Sequence, residues 1–271
     1  VHRIVHEWGY SYLKMDGMWM GTATKQTYVN NGYIANDDLG VPTVHDPKQT
    51  PIEAYRNGLK LIRQAAGRDT FILGCCVSQN MRSFAGTFGL VDAMRIGPDN
   101  GGNWNSIKVG PWHSANRYFL HGRVWYNDPD PCYIRASMPY EQAQSICSWV
   151  GLSGMLQASS DWLPASAPDR LNLLKRILPN HGRVARPVDI LDREMANTWV
   201  IHAQRGGVPV HAVGLFNWDA DQALAIEEPL ARLELDPAKT YVGFDFWANT
   251  FVPPFTGALR GSLPGGACRL L

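Results

Sequence analysis

The sequence predicts an α/β domain followed by an antiparallel β domain, and three observations predict it. Up to about residue 185, short apolar runs alternate with stretches of helical spacing, the βαβα rhythm of a parallel sheet with helical crossovers. Ionisable or polar residues recur just past the predicted strand ends, which is where a βα barrel displays its catalytic groups. Near Arg186-Pro187 the pattern changes to short alternating segments separated by Gly, Asp and Pro, as in an antiparallel sandwich. The expected division is therefore residues 1–185 and 186–271.

Taken in order, Val1 to Glu7 reads as the end of a helix and Tyr12 to Met15 as the first strand, broken at Gly17. Residues 21–51 are rich in Asn, Asp, Gly and Pro, a loop of a length that is either functional or disordered. Tyr55, Leu59, Ile62 and Ala66 recur at helical spacing over residues 52–66, with Gly67 as the stop. Thr70 to Gly74 and Ala93 to Ile96 follow as strands, residues 114–121 as a helix, and Arg123 to Tyr126 as a strand ending at Asn127. Tyr140 to Val150 and Pro168 to Leu178 are expected helices, with a fifth strand between them at Gly154 to Ala158. Five such units are too few to close a barrel of eight. Beyond residue 186, Thr198–His202, Val210–Phe216 and Thr240–Phe246 are the clearest strands.

Composition narrows the function. A hydrophobic share of 45% against 18% charged supports a sizeable core and argues against disorder. A formal net charge of +1 gives no pull toward nucleic acid or acidic membranes. No apolar run approaches the roughly 18 residues of a membrane span. Cys75, Cys76, Cys132, Cys147 and Cys268 lack metal-ligand spacing and are odd in number, so no metal site and no full disulfide framework is expected. Ten Trp and ten Tyr suit carbohydrate sites, where flat rings stack on sugar faces, although most such rings fill core. The chain carries no signal for compartment or oligomeric state. It opens on Val1 inside a helical pattern, so an N-terminal part is expected to be missing.

The candidate chemistry centres on Asp16, a carboxylate two residues after Lys14 at the end of the first strand. Asp99 follows the strand at Ala93 to Ile96, with Arg95 at its end, and Trp125-Tyr126-Asn127-Asp128-Pro129-Asp130 marks the next strand end. In this order, Tyr12-Leu13-Lys14-Met15-Asp16-Gly17, Arg95-Ile96-Gly97-Pro98-Asp99 and Trp125 to Asp130 resemble the melibiase-type α-galactosidases and α-N-acetylgalactosaminidases, retaining glycoside hydrolases of clan D. The resemblance spans nearly the whole chain. It implies the C-terminal part of a (β/α)8 TIM barrel, about strands 4–8, followed by an antiparallel β-sandwich. It also implies that the first three barrel strands are absent, leaving two exposed sheet edges.

By that resemblance Asp16 is the nucleophile and Asp99 the acid/base, with Lys14 on the sugar hydroxyls and no cofactor. Retaining hydrolysis needs two carboxyl groups about 5–5.5 Å apart. The Lys14 cation favours an ionised Asp16, whereas Asp99 must begin protonated, which calls for burial or a nearby negative charge. A direct Arg95–Asp99 pair works against that, so Arg95 is assigned to substrate hydroxyls or to orienting Asp16. Asn127, Asp128 and Asp130 are expected to be structural, a rigid turn at Pro129 whose carboxylates cap backbone amides. Trp19 and Trp125 are either sugar platforms or core.

Two positions depart from the family. Met18 stands where the eukaryotic enzymes have a disulfide cysteine, and Cys75-Cys76-Val77-Ser78 stands where they place the residue that reads the sugar C2 substituent. Cys75 and Cys76 either line the pocket or lie in core. The expected substrate is an α-galactoside oligosaccharide or glycoconjugate. An α-N-acetylgalactosaminidase, a β-L-arabinopyranosidase, a galactosyl-transferring enzyme and a non-catalytic sugar-binding relative remain open on the same scaffold.

Overall fold

The computed structural model of the 271-residue chain describes residues 1–17, 44–75 and 86–271. The long loop expected from residue 21 lies largely outside the described residues, as do Trp19, Cys76 and Met18. By packing the chain divides into two compact units, Val1–Asp99 with Phe119–Pro129, and Asn100–Tyr118 with Asp130–Leu271. Among the described residues, no helix is long and apolar enough to cross a membrane.

The first unit is built on four strands, β1 (Tyr12–Met15), β2 (Phe71–Gly74), β3 (Ala93–Arg95) and β4 (Tyr126–Asp128), hydrogen-bonded in that order. Every pairing is parallel, with Leu13 opposite Ile72, Gly74 opposite Met94 and Arg95 opposite Asp128. Helix α1 (Pro51–Ala66) lies between β1 and β2 in the chain. Its start is fixed by Thr50, whose hydroxyl accepts the Glu53 N–H while Glu53 accepts the Thr50 N–H, with Pro51 in the first turn. Its end is fixed by Gly67 at φ 79°, a conformation that L side chains resist. Arg63 ties this helix to the sheet, bonding Thr70 O at 2.7 Å and Asp92 Oδ2 at 2.5 Å. The same Asp92 oxygen accepts the Ile72 N–H at 2.7 Å.

Alternation sorts this sheet into two faces. Leu13, Met15, Ile72 and Met94 join Ile62, Ala66, Val91 and Trp125 in one apolar cluster. The other face carries Tyr12, Lys14, Leu73, Arg95 and Asp128.

In the second unit the helices are α2 (Trp104–Ile107), α3 (Val109–Ala115), α4 (Tyr140–Ser153) and α5 (Pro168–Ile177). The strands are β5 (Arg186–Pro187), β6 (Thr198–Arg205), β7 (Val208–Phe216), β8 (Leu224–Pro229), β9 (Thr240–Asp245), β10 (Thr250–Thr256), β11 (Ala258–Leu263) and β12 (Cys268–Leu270). They form a sheet ordered β12-β7-β6-β5 and two-stranded sheets β11-β8 and β10-β9, all antiparallel. Val200, Val213, Leu215, Leu230, Leu233 and Leu259 make their core. Helix α4 is buried on nearly every side, which its serines permit by bonding inward. Ser145 Oγ donates to Gly266 O at 2.7 Å, and Ser148 Oγ accepts from Trp247 Nε1 at 2.6 Å.

The expected strand at Gly154 to Ala158 does not form. Asn180 Nδ2 donates to Gly154 O and Met155 O, both at 2.8 Å, and takes carbonyls that a ladder would need. All that remains of pairing is an isolated parallel bridge between Cys132 and Ser159. The helix expected over residues 114–121 falls earlier, as α2 and α3, because Asn103 caps it by accepting the Ser106 N–H at 3.0 Å. Likewise the strand expected at Arg123 to Tyr126 lies at Tyr126–Asp128 instead.

His113 on α3 gives the fold a pH signature. Burial pushes its imidazole down to about 4 from 6.5, and the neighbouring Arg117 cation pushes the same way. The unfolded chain therefore takes up this proton first, and stability present above pH 6.5 is lost as the pH falls toward 4. The difference between the two values corresponds to roughly 3 kcal/mol at full effect. Denaturant midpoints measured from pH 7 to 4.5 should fall in the parent protein and fall less in His113→Phe.

Candidate active site

Parallel strands place their carboxyl ends on one rim, and here each of the four ends carries a candidate residue. Asp16 follows β1 directly, Cys75 follows β2, Arg95 closes β3 with Asp99 four residues on, and Asp128 closes β4. The ladder runs slightly past these ends, since the Cys75 N–H bonds Met15 O at 2.7 Å and the Ile96 N–H bonds Asp128 O at 3.1 Å. The rim is therefore held by backbone rather than by loop packing alone.

Lys14 and Asp16 are both exposed and fall on the same side of the strand by alternation. Asp16 Oδ1 accepts the Gly17 N–H at 2.7 Å, which steadies the carboxylate in its own turn.

Arg95 is the most constrained member. Its side chain is 4% exposed, and it reaches two carboxylates: Nη1 bonds Asp99 Oδ1 at 2.8 Å and Nε bonds Asp128 Oδ2 at 3.2 Å. The Asp128 side chain is 6% exposed, whereas that of Asp99 is 81% exposed. The direct Arg95–Asp99 pair, set aside on the sequence, is thus present; of the two settings expected to keep Asp99 protonated, burial or a nearby negative charge, burial is absent. The reason is register: Arg95 stands opposite Asp128, so its guanidinium is anchored where the chain returns at Asp99.

The turn after β4 divides its roles. Asn127 is fully buried, accepting from Trp125 Nε1 at 3.0 Å and donating its N–H to His121 Nδ1 at 3.0 Å. Asp130 sits at φ 76°, a left-handed conformation that Asp tolerates, and its Oδ2 accepts the Asn100 N–H at 2.8 Å. It thereby caps the backbone next to Asp99. Trp125 is core: it is 4% exposed and meets Phe88 edge-on at 5.1 Å. Cys75 is buried.

Tyr12 was missed in the sequence, where it reads as an ordinary strand residue. Burial pushes its phenol up, and the charges of Asp128 and Cys75 add to this while Arg95 opposes it. Tyr12 lies on the same face of the sheet as Lys14, Arg95 and Asp128. Strand parity was the available signal, because Tyr12 lies two residues before Lys14 and four before Asp16. Among the described residues no cluster of His, Cys, Asp or Glu is fit to hold a metal ion.

No protein-family model matches the chain. Solved structures do. α-Galactosidase I from Mortierella vinacea matches with a TM-score of 0.71 at 15% identity, over 99% of this chain and 69% of its own. A GH27 β-L-arabinopyranosidase from Geobacillus stearothermophilus matches with a TM-score of 0.68 at 14% identity, over 99% of this chain and 59% of its own. The isomalto-dextranase of Arthrobacter globiformis, solved with panose, matches with a TM-score of 0.64 at 17% identity, over 99% and 46%. The chain thus shares its fold with these carbohydrate-active enzymes while spanning between 46% and 69% of their length.

Proposed function

We propose that the chain belongs to a retaining glycoside hydrolase that cleaves terminal α-galactosidic bonds, its four parallel strands being part of a (β/α)8 barrel. The observation that carries this is the rim itself, where neighbouring strand ends present Asp16, Arg95 with Asp99, and Asp128. Likeness in fold to an α-galactosidase and a β-L-arabinopyranosidase supports the reaction class. A Saccharomyces cerevisiae α-galactosidase of the same fold has been solved with raffinose, which supports an oligosaccharide substrate.

In the first step Asp16 attacks the anomeric carbon, the glycosidic C–O bond breaks, and Asp99 gives its proton to the departing oxygen. In the second, water attacks the same carbon, Asp99 takes the water proton, and the ester bond to Asp16 breaks. Lys14, on the face of Asp16, holds sugar hydroxyls. Asp99 must leave Arg95 to act as an acid. The second carboxylate makes this feasible: with Asp128 still at 3.2 Å, the buried guanidinium keeps a counter-charge when Asp99 turns away. Arg95 is therefore assigned to holding the Asp99 carboxyl between turnovers, and Asp128 to compensating Arg95 when Asp99 turns away.

Incubation with an activated 2-deoxy-2-fluoro galactosyl compound, followed by peptide mass analysis, should place a galactosyl adduct on the peptide holding Asp16. A folded protein without that adduct sinks the galactosidase assignment, and the arabinosyl and glucosyl analogues then report whether another sugar is accepted. Asp99→Ala should lose far more activity on substrates with poor leaving groups than on activated aryl glycosides, with azide restoring turnover on the latter. Arg95→Met should destabilise the protein by about 3–5 kcal/mol, because it strands the buried Asp128 carboxylate. Asp99→Asn should cost less than about 1 kcal/mol, its side chain being exposed. Equal losses in the two variants would contradict the charge-compensating role of Asp128.

A further inference from the structure

The second unit holds a cleft of about 430 Å³ between residues 134–136 and the segment from Asp161 to Arg170. Its wall carries Trp162, whose side chain is 76% exposed, the most exposed indole among the described residues. An indole exposed on the wall of a concavity offers a flat apolar face on which a ligand ring can stack. The backbone beneath it is fixed, since Trp162 O accepts the Ala165 N–H at 3.1 Å within the short turn Leu163–Ala165.

The polar groups around it are also set in advance. Asp161, with a side chain 4% exposed, accepts from Arg135 Nε at 2.6 Å and from the Ile134 N–H. The Arg135 guanidinium lies 4.6 Å over the Tyr133 ring and donates to Ser160 O at 3.2 Å, yet 42% of its side chain faces solvent. Arg170 Nη1 donates to Met138 O at 2.7 Å. Two guanidiniums, Arg135 and Arg170, stand against two carboxylates, Asp161 and Asp169, so the cleft carries no net charge. A phosphate or a cationic peptide therefore gains little there. A neutral molecule with one apolar face and a rim of hydroxyl groups gains most, because it can stack on the indole while exchanging hydrogen bonds with both kinds of charge. A larger cavity, about 980 Å³, lies elsewhere in this unit; it too sets Arg176 and Lys239 beside Glu234 and Asp236, but no indole lines it.

We infer that the Trp162 cleft is a carbohydrate subsite that stacks a pyranose ring on Trp162 and fixes it through Arg135 and Asp169. The site is distinct from the strand-end rim, and the choice of a galactosyl oligosaccharide as probe rests on the function proposed above. Titration of ¹⁵N-indole-labelled Asp16→Asn protein with raffinose, and separately with panose, tests it. The Nε1–H resonance that Trp162→Phe removes should move on titration, and Trp162→Ala should weaken binding about 10-fold. Because the side chain is exposed, Trp162→Ala should leave the thermal midpoint unchanged. A Trp162 resonance that stays still for both sugars up to about 50 mM, far weaker than useful binding, overturns the subsite. So does an unchanged affinity in Trp162→Ala. A moving Trp162 resonance without any adduct on Asp16 would keep the subsite and remove the galactosidase assignment, so the two fail separately.

Discussion

The rim depends on one buried cation. Arg95 is nearly inaccessible, and a guanidinium in that position is tolerated only if carboxylates meet it. Register supplies the first, because Arg95 and Asp128 face each other across β3 and β4. Chain length supplies the second, because Gly97 and Pro98 turn the backbone back far enough for Asp99 to reach Nη1. Without the parallel ladder neither contact exists. The charge arrangement and the sheet topology are therefore one constraint seen at two scales.

This constraint also limits where the rest of the chain can vary. The opposite face of the same sheet is apolar, pressed into a cluster with Ile62, Ala66, Val91 and Trp125, and a one-residue slip of any strand would exchange the two faces. Asp92 guards against such a slip at the opposite end of β3, binding Arg63 from α1 and the Ile72 N–H from β2. An ion pair at the amino ends thus holds register for an ion pair at the carboxyl ends.

Much of this was legible in the sequence, for physical reasons. Helix α1 announces itself by apolar spacing and a glycine stop, both local signals; the capping pair at Thr50 and Glu53, equally local, went unread and moved its start to Pro51. The change from parallel to antiparallel pairing was visible in the period of the apolar residues. What was lost is what depends on distant partners. The apolar run at Gly154 to Ala158 has strand composition, but Asn180, some two dozen residues on, claims its carbonyls. The pairing of Arg95 with Asp99 was set aside because a cation there lowers the carboxyl pKa, and the Asp128 carboxylate beside Arg95 is revealed only by the register. The placement of Trp19 and Cys76 was not decided, as both fall outside the described residues.

A guanidinium shared by two carboxylates behaves differently from one held by a single partner. In a simple pair, drawing the acid away strands a buried charge, and the cost of that opposes any motion of the acid. With Asp128 held in register, releasing Asp99 costs one part-buried, charge-assisted hydrogen bond but leaves the guanidinium a carboxylate beside it. Asp99 lies on the exposed side of the pair and Asp128 on the buried side, which is the order required if one carboxyl group is to move and the other to stay. Asp130, by capping the Asn100 N–H, holds the backbone immediately beyond Asp99, so the motion proposed for Asp99 falls to its side chain.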